Sequence, residues 1–188
     1  MALPQEMRYT LADALAWDEN ERIELIGGVP VMHATPVRKH QRVLLKIAKR
    51  LEDYLEDKTC EVNIAPFSVR LFETAEDRPE NVDTVVEPDI SVVCDPDKLD
   101  DIGCKGAPDM IAEILSPSTQ RNDRMVKFSL YQRAGVKEYW IVDPETETVQ
   151  VYLLEEGQYH AAQVYTRQSK VKVEVLDACV LDLEQVFA

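Results

Sequence analysis

The sequence predicts a single α/β (α+β) domain built on a mixed sheet that helices flank. The chain has 188 residues, which matches the size of one domain with its own apolar core. Its residues are 45% hydrophobic and 30% charged, a balance typical of globular proteins. Between about residues 36 and 143, helical periodicity and short β-rich runs follow the order helix, three strands, helix, strand. We therefore expect one domain over residues 1–188 with this core at its centre.

The N-terminal part of the chain predicts a hairpin followed by the first long helix. Apolar runs flank Gly27 and Gly28, a two-residue turn signal, and Pro30 confines the second strand to a sheet edge. A helix is expected over 36–57, because Pro36 suits the first helical position. Apolar residues recur at the helical period and form its buried stripe: Val43, Leu44, Ile47, Leu51, Tyr54 and Leu55.

Three extended segments, a second helix and a further strand complete the predicted core. Strands are expected at 62–72, 85–94, 109–115 and 138–143, and a helix at 123–134. Gly135 follows that helix where a left-handed cap is expected. A C-terminal β-meander is expected at 148–154, 159–165 and 171–175, with a short closing helix at 183–187.

The cysteines and the N-terminus indicate the compartment. A domain of this size needs no disulfide, and no C-x-x-C pair or suitably spaced histidine predicts a zinc site. Free thiols are therefore expected at Cys60, Cys94, Cys104 and Cys179. No signal-peptide pattern is present, and no apolar run reaches the length of about 18 residues needed for a membrane span. We expect a cytoplasmic protein with no membrane segment.

Charge is unevenly distributed along the chain. A net charge of −14 argues against nucleic acid as a partner. However, the stretch from Arg38 to Arg50 has six basic residues and no acid, and that from Arg121 to Lys137 has five basic residues against Asp123. On the first helix the basic residues lie opposite the apolar stripe. Solvated surface is the ordinary explanation for one such stretch; together they leave a nucleic-acid-binding face open.

Two acidic residues on neighbouring segments could support chemistry. Asp89 shares the polar face of strand 85–94 with Glu87 and Ser91, because side chains alternate along a strand. Glu113 has apolar neighbours on both sides, so an ionised carboxylate there needs a cation nearby. If the two strands are adjacent, the carboxylates lie about 5 Å apart across the ladder. Hard oxygen ligands of this kind suit Mg²⁺ or Mn²⁺.

Lys127 is the nearest candidate cation from the protein itself, on the helix that follows the strand of Glu113. Two interpretations stay open: a catalytic ammonium beside a metal, or a structural Glu113–Lys127 ion pair without chemistry. His40 falls on the apolar side of its helix, where a buried or hairpin-contacting histidine is expected rather than a catalytic one.

Five segments carry a resemblance to a known family. They read ELIGG (24–28), EPDI (87–90), PDMIAEILSPST (108–119), DxxxKxxxY (123–131) and GVKEYWIVD (135–143). Together they resemble the Uma family of putative restriction endonucleases, within the PD-(D/E)XK nuclease superfamily. The resemblance runs from about residue 8 to the C-terminus, and the 109–143 block is its most specific part.

The resemblance implies a restriction-endonuclease-like core and a Mg²⁺- or Mn²⁺-dependent nuclease centre. Asp89 and Glu113 would be catalytic residues and metal ligands. The backbone carbonyl of Ile114 would be a further ligand, and Glu24 matches an acidic position that can add another. Each of these roles is implied by the family and is an expectation for this chain.

The sequence departs from the superfamily pattern where Leu115 occupies the place of the usual lysine. The resemblance implies that Lys127, on the following helix, substitutes for it as the third catalytic residue. DNA contacts would come from the two basic stretches, through Arg38, Lys39, Arg42, Lys46, Lys49, Arg121 and Arg124.

Three functions remain open at this point. The first is an endonuclease that hydrolyses DNA phosphodiester bonds, expected as a homodimer because many duplex-cutting enzymes are two-fold symmetric. The second is a catalytically silent nucleic-acid or protein interaction module on the same fold, favoured by the charge of −14 and by Leu115. The third is a metal-dependent phosphodiesterase for a substrate other than duplex DNA.

Overall fold

The computed structural model describes residues 7–17, 23–32, 35–116 and 123–188. Its helices are α1 (Leu11–Ala14), α2 (Arg38–Leu55), α3 (Phe128–Ala134) and α4 (Leu183–Phe187). Its strands are β1 (Ile23–Ile26), β2 (Val29–Met32), β3 (Glu61–Ile64), β4 (Ser68–Arg70), β5 (Val85–Val86), β6 (Ile90–Val93), β7 (Leu99–Asp100), β8 (Gly103–Lys105), β9 (Met110–Ile114), β10 (Glu138–Asp143), β11 (Thr148–Glu155), β12 (Gln158–Tyr159), β13 (Gln163–Thr166), β14 (Lys170–Lys172) and β15 (Val180–Asp182).

The main sheet has the strand order β12-β11-β10-β9-β6-β3, with β13 also paired to β11. Strand β6 is antiparallel to both β3 and β9, whereas β9 and β10 are parallel. A parallel pair needs a crossover connection, and α3 supplies it. The predicted order of helix, three strands, helix and strand is therefore confirmed as α2, β3, β6, β9, α3 and β10 in a mixed α+β fold.

Helices α2 and α3 cover opposite faces of this sheet. Ile47 and Leu51 of α2 lie in one core cluster with Ala112 and Trp140. Full burial of each such aliphatic side chain stabilises the fold by about 1.5–3 kcal/mol. The α3 side has its own cluster, whose members include Ile111, Leu115, Leu130, Tyr131 and Ile141. Since side chains alternate along β9, Glu113 shares the α3 side with Ile111 and Leu115.

Two predicted strands are wrong in extent. Segments 62–72 and 85–94 each break into two strands that belong to different sheets, namely β3 with β4 and β5 with β6. Each break contains a proline, Pro66 or Pro88, which has no N–H for a ladder hydrogen bond. The alternation assumed across 85–94 therefore fails at Asp89, which stands just before β6 rather than inside a continuous strand.

The second sheet has the order β2-β1-β5-β4-β8-β7 and contains the predicted N-terminal hairpin. Gly27 and Gly28 have φ values of 58° and 78°, as a two-residue hairpin turn of the I′ type requires. Strand β2, which carries Pro30, is at the edge of this sheet as predicted. Glu24 lies on β1, so the hairpin positions one of the expected site residues.

The helix limits differ modestly from those predicted. Helix α2 begins at Arg38 after the N-cap Val37, two residues later than expected. The predicted helix 123–134 is one π-helical segment, Asp123–Lys127, followed by α3. Gly135 ends it in the left-handed conformation with φ 89°, as predicted. No helix in the described ranges is both long and apolar enough to cross a membrane.

The expectation that all four cysteines are free is wrong for two of them. Cys60 and Cys94 form a disulfide, with their Cα atoms 3.8 Å apart. Strands β3 and β6 pair Glu61 with Val93, so one further step along the ladder places the two cysteines opposite each other. Cys104 and Cys179 are free and buried. The register of β3 with β6 brings Cys60 and Cys94 together, and sequence spacing alone does not reveal it.

The C-terminal part packs against the main sheet. Strand β11 pairs with β10, β12 and β13, and the predicted segment 159–165 is divided between the last two. Strands β14 and β15 form a two-stranded sheet of their own. The predicted closing helix is α4, and it packs against α2.

Candidate active site

Strand register brings Asp89 and Glu113 to adjacent positions. Strands β6 and β9 pair Ile90 with Ala112, so the next step along the antiparallel ladder sets Asp89 opposite Glu113. Asp89 precedes the first residue of β6, and Glu113 is the penultimate residue of β9. The two residues are therefore neighbours along the backbone, although Asp89 itself lies outside the ladder; the expected separation of about 5 Å between their carboxylates stays a prediction.

Asp89 is held through one oxygen of its carboxylate. Its Oδ2 accepts the backbone N–H of Ile114 at 2.8 Å and lies 3.0 Å from Nε2 of His40. The Asp89 side chain is 19% exposed. Its Oδ1 accepts no hydrogen bond from the residues described. The protein therefore fixes one oxygen of a partly exposed carboxylate.

Glu113 is buried, and described side chains donate to one of its oxygens. Its Oε1 accepts from Nζ of Lys127 at 2.9 Å and from the hydroxyl of Tyr131 at 2.6 Å. Burial raises the pKa of Tyr131 well above its ordinary value, and the negative charges of Glu113 and Glu24 raise it further. The phenol therefore keeps its proton and acts as a hydrogen-bond donor to the carboxylate.

Lys127 connects the two sheets. Its Nζ is 3.0 Å from Oε1 of Glu24, and the same oxygen accepts the backbone N–H of Glu87 at 2.8 Å. Lys127, Glu24 and Glu113 are all buried. Removing one partner of a buried ion pair costs about 3–5 kcal/mol, because the remaining charge is left uncompensated. The predicted contact between Lys127 and Glu113 is present, and its catalytic role stays a prediction.

The donor set suits a hard divalent cation held by few protein ligands. In the part of the chain that the structure describes, no group of three or more His, Cys, Asp or Glu side chains forms a metal cluster. Mg²⁺ does not require one, because it commonly binds one or two carboxylates and keeps several waters. Asp89 and Glu113 offer such oxygen ligands, so the residues present fit the ion that the family implies.

The resemblance implies two further ligands, Glu24 and the carbonyl of Ile114, and the structure gives protein contacts for both residues. Oε1 of Glu24 accepts from Nζ of Lys127 and from the backbone N–H of Glu87. The N–H of Ile114 is directed to Asp89. Metal ligation by Glu24 and by the carbonyl of Ile114 stays a prediction.

Sequence reasoning did not assign His40 and Tyr131 to the site. His40 is buried as expected, and its Nε2 contacts Asp89. No sequence signal reveals that contact, since it depends on where α2 crosses the sheet. Tyr131 could have been found, because residues four apart lie on one helical face and Tyr131 is four residues from Lys127.

Three of the expected DNA-contacting residues lie along the exposed side of α2. Arg38 and Lys39 occupy its first turn, next to His40 and therefore near the acidic pair. Lys39 forms an exposed ion pair with Glu145 at 3.3 Å. Lys49, farther along the helix, pairs with Asp53 at 2.8 Å. Exposed pairs of this kind are weak and exchange readily for other partners.

The other residues expected to contact DNA either bind another part of the chain or lie outside the described residues. Arg42 and Lys46 both donate to the backbone carbonyl of Ala188, directly after α4. The C-terminal helix thus covers part of the basic face of α2. Arg121 and the side chain of Arg124 lie outside the described residues.

The mixed sheet and its flanking helices give this chain a restriction-endonuclease-like α+β fold. The family model Uma2, described as putative restriction endonuclease, matches residues 11–184. This chain belongs to the Uma2 family, which confirms the resemblance found in the sequence. Family membership gives the chain a nuclease role in this general sense.

Two known proteins are similar to this chain, one in structure and one in sequence. The crystal structure of a putative nuclease belonging to DUF820 from Anabaena variabilis matches with a TM-score of 0.71 at 21% identity, covering 95% of this chain and 97% of that one. The uncharacterized protein slr1290 of Synechocystis sp. is 24% identical over 141 residues, which are 73% of this chain and 70% of that protein. At these identities the structural likeness shows the fold.

Proposed function

We propose that this chain is a Mg²⁺- or Mn²⁺-dependent endonuclease that hydrolyses DNA phosphodiester bonds. One observation carries the proposal: Asp89 and Glu113 stand opposite each other at the ends of two central strands, and the ammonium of Lys127 contacts Glu113. Membership of the Uma2 family supports the nuclease role. The metal and the DNA substrate are the parts that the proposal adds.

Asp89 and Glu113, with the carbonyl of Ile114, would hold the cation. A bound Mg²⁺ or Mn²⁺ supplies a water of lowered pKa and positive charge beside the scissile phosphate. On the protein side, the described contacts of Asp89 leave Oδ1 available while Oδ2 is fixed. Tyr131 keeps its proton and holds Oε1 of Glu113 in place.

Lys127 would act on the phosphate or on the attacking water. Its ammonium is held between Glu24 and Glu113, at the α3 side of the sheet and next to the acidic pair. A preorganised cation at this position stabilises negative charge that develops in the transition state. Glu24 then serves to orient the lysine, and any role as a metal ligand is additional.

DNA would lie across the N-terminal end of α2. Arg38 and Lys39 are exposed there, and the positive end of the helix dipole favours phosphate at the same place. Arg121 and Arg124 are proposed as further DNA contacts from the sequence alone. A two-fold dimer would place two such centres on opposite strands of a duplex.

A second function is favoured by the charges around Lys127. Its ammonium is already paired with two carboxylates, and Leu115, in the place of the superfamily lysine, is buried in the apolar core. A catalytically silent interaction module on the same fold would show these features, with the ion pair retained for stability. Metal binding without cleavage would identify it.

Plasmid nicking in Mg²⁺ and in Mn²⁺ tests the proposal. Asp89→Asn, Glu113→Gln and Lys127→Met should each lower the cleavage rate by about two to four orders of magnitude, the range for positioned catalytic groups. Glu138→Gln is the matched control, because Glu138 is also a buried carboxylate. It lies on β10 opposite Met110, at the other end of β9 from Glu113. It should cleave like the wild type. Cleavage that survives Asp89→Asn contradicts the proposal.

Single-stranded DNA and RNA substrates of the same sequence complete the experiment. Preference for duplex DNA supports the proposed substrate. Cleavage of RNA alone would replace it with the third function, a phosphodiesterase for another nucleic acid. Mn²⁺ binding by the wild type without cleavage of any of these substrates favours the silent module.

A further inference from the structure

His40 joins helix α2 to the acidic pair. It is the third residue of α2 and 5% exposed, and its Nε2 lies 3.0 Å from Oδ2 of Asp89. The neighbouring Val43 and Leu44 are ordinary members of the core under the helix. His40 is therefore the buried polar residue through which α2 contacts the candidate active site.

The hydrogen bond fixes which ring nitrogen of His40 carries a proton. An ionised carboxylate only accepts hydrogen bonds, so Nε2 must be the donor to Asp89. The other ring nitrogen, Nδ1, is buried and has no hydrogen-bond partner among the described residues. A buried polar nitrogen without a partner lowers stability, so an apolar side chain would pack better at this position. The contribution specific to histidine is thus its bond to Asp89.

Asp89 is held from three directions. Its backbone carbonyl accepts the N–H of Ala65, and its Oδ2 accepts from both Ile114 and His40. The two donors to Oδ2 come from different elements, β9 and α2. They set the rotation of the carboxylate, and with it the direction of Oδ1.

We propose that His40 is a positioning residue that orients Asp89 so that Oδ1 faces the divalent cation. This role rests on the proposed function, because it assigns Oδ1 to the metal. Some residues hydrogen-bond a metal ligand without contacting the metal themselves. Replacing such a residue commonly lowers metal affinity or activity by about 10- to 100-fold. A histidine that only packed α2 against the sheet would leave metal affinity unchanged.

Calorimetric titration of Mn²⁺ into the metal-free protein tests this role without depending on cleavage. His40→Leu keeps the bulk but removes the donor, and should weaken Mn²⁺ binding by about 10- to 100-fold. His40→Gln places an amide N–H near the position of Nε2, and should restore the affinity to within about threefold of wild type. Leu51→Ala, a packing variant of the same helix that is remote from Asp89, should bind Mn²⁺ like the wild type.

The outcomes separate this role from the proposed function. Wild-type affinity in His40→Leu overturns the positioning role and leaves the metal centre in place. A wild-type chain that binds no Mn²⁺ overturns the metal centre and the role of His40 together. If His40→Leu does not fold, the ¹⁵N spectrum of the wild-type imidazole decides: a proton on Nε2 supports the role, and a tautomer protonated only on Nδ1 overturns it.

Discussion

Lys127 donates to Glu24 and Glu113 at once, with its Nζ 3.0 Å and 2.9 Å from one carboxylate oxygen of each. Glu24 belongs to the second sheet and Glu113 to the main sheet. A single buried cation thus connects the two sheets next to the residue opposite Asp89. The same side chain is expected to serve stability and chemistry, and variants can separate these contributions.

Replacing Lys127 should affect stability and cleavage together. Lys127→Met removes the buried cation that both Glu24 and Glu113 contact, and should lower the free energy of unfolding by about 3–5 kcal/mol. The double variant Lys127→Met/Glu24→Gln removes one of those charges and should recover part of the stability without recovering cleavage. Urea unfolding and plasmid nicking measure the two effects. Full cleavage by the double variant would exclude Lys127 from the chemistry.

Tyr131 should stabilise the fold through its hydroxyl. Tyr131→Phe removes only the oxygen that donates to Glu113, and a hydrogen bond to a charged group contributes about 1.5–3 kcal/mol. Tyr152→Phe is the control, because its hydroxyl donates to the neutral side chain of Gln150 and is only partly buried. Its effect on the free energy of unfolding should be about 0.5–1.5 kcal/mol at most. Equal effects in chemical denaturation would contradict the assigned strength of the Tyr131 contact.

Glu138 should make stability depend on pH. Burial raises its pKa above the ordinary value of 4.5, although hydrogen bonds from Val175 and Trp140 oppose the shift. Because the folded state holds this proton more tightly than the unfolded state, the contribution of Glu138 is fully present below pH 4.5 and is lost as pH rises through the raised folded value. Glu138→Gln removes this titration.

Denaturant unfolding of wild type and Glu138→Gln across this pH window measures the effect. The stability of the wild type relative to the variant should fall as pH increases. Parallel stability curves for the two proteins would show that Glu138 has no raised pKa in the folded state.

The thiols should be distinguishable by their accessibility. Burial raises the pKa of both Cys104 and Cys179 to about 11, so almost no thiolate is present at neutral pH in the folded chain. A thiol reagent should find no fast-reacting cysteine in the native protein and two after unfolding without reductant. Reduction and unfolding together should release four, through the disulfide between Cys60 and Cys94. Four thiols without reductant would show that the disulfide is absent.

The parts of the fold that local pattern determines could be predicted from the sequence. The apolar stripe of α2 and the glycine turn of the hairpin led to correct elements. The breaks at Pro66 and Pro88 were missed, because the sheet that a strand joins depends on its tertiary neighbours rather than on its own residues.

The candidate site, too, could be predicted from the sequence only in part. The contact of Lys127 with Glu113 was predictable, since a carboxylate among apolar residues requires a cation. The contact of His40 with Asp89 was not, because it depends on how α2 lies over the sheet. The cysteine pair depended likewise on the register of β3 with β6.

The most direct test of the metal centre is the binding of Mn²⁺ to the wild type, Asp89→Asn and Glu113→Gln, followed by calorimetry at constant pH. We predict one site on the wild-type chain that either substitution weakens by at least about tenfold, since each removes a charged ligand of a hard cation. Glu138→Gln should leave that site unchanged. Equal Mn²⁺ affinity in the wild type and both site variants would contradict the claim that Asp89 and Glu113 hold the cation.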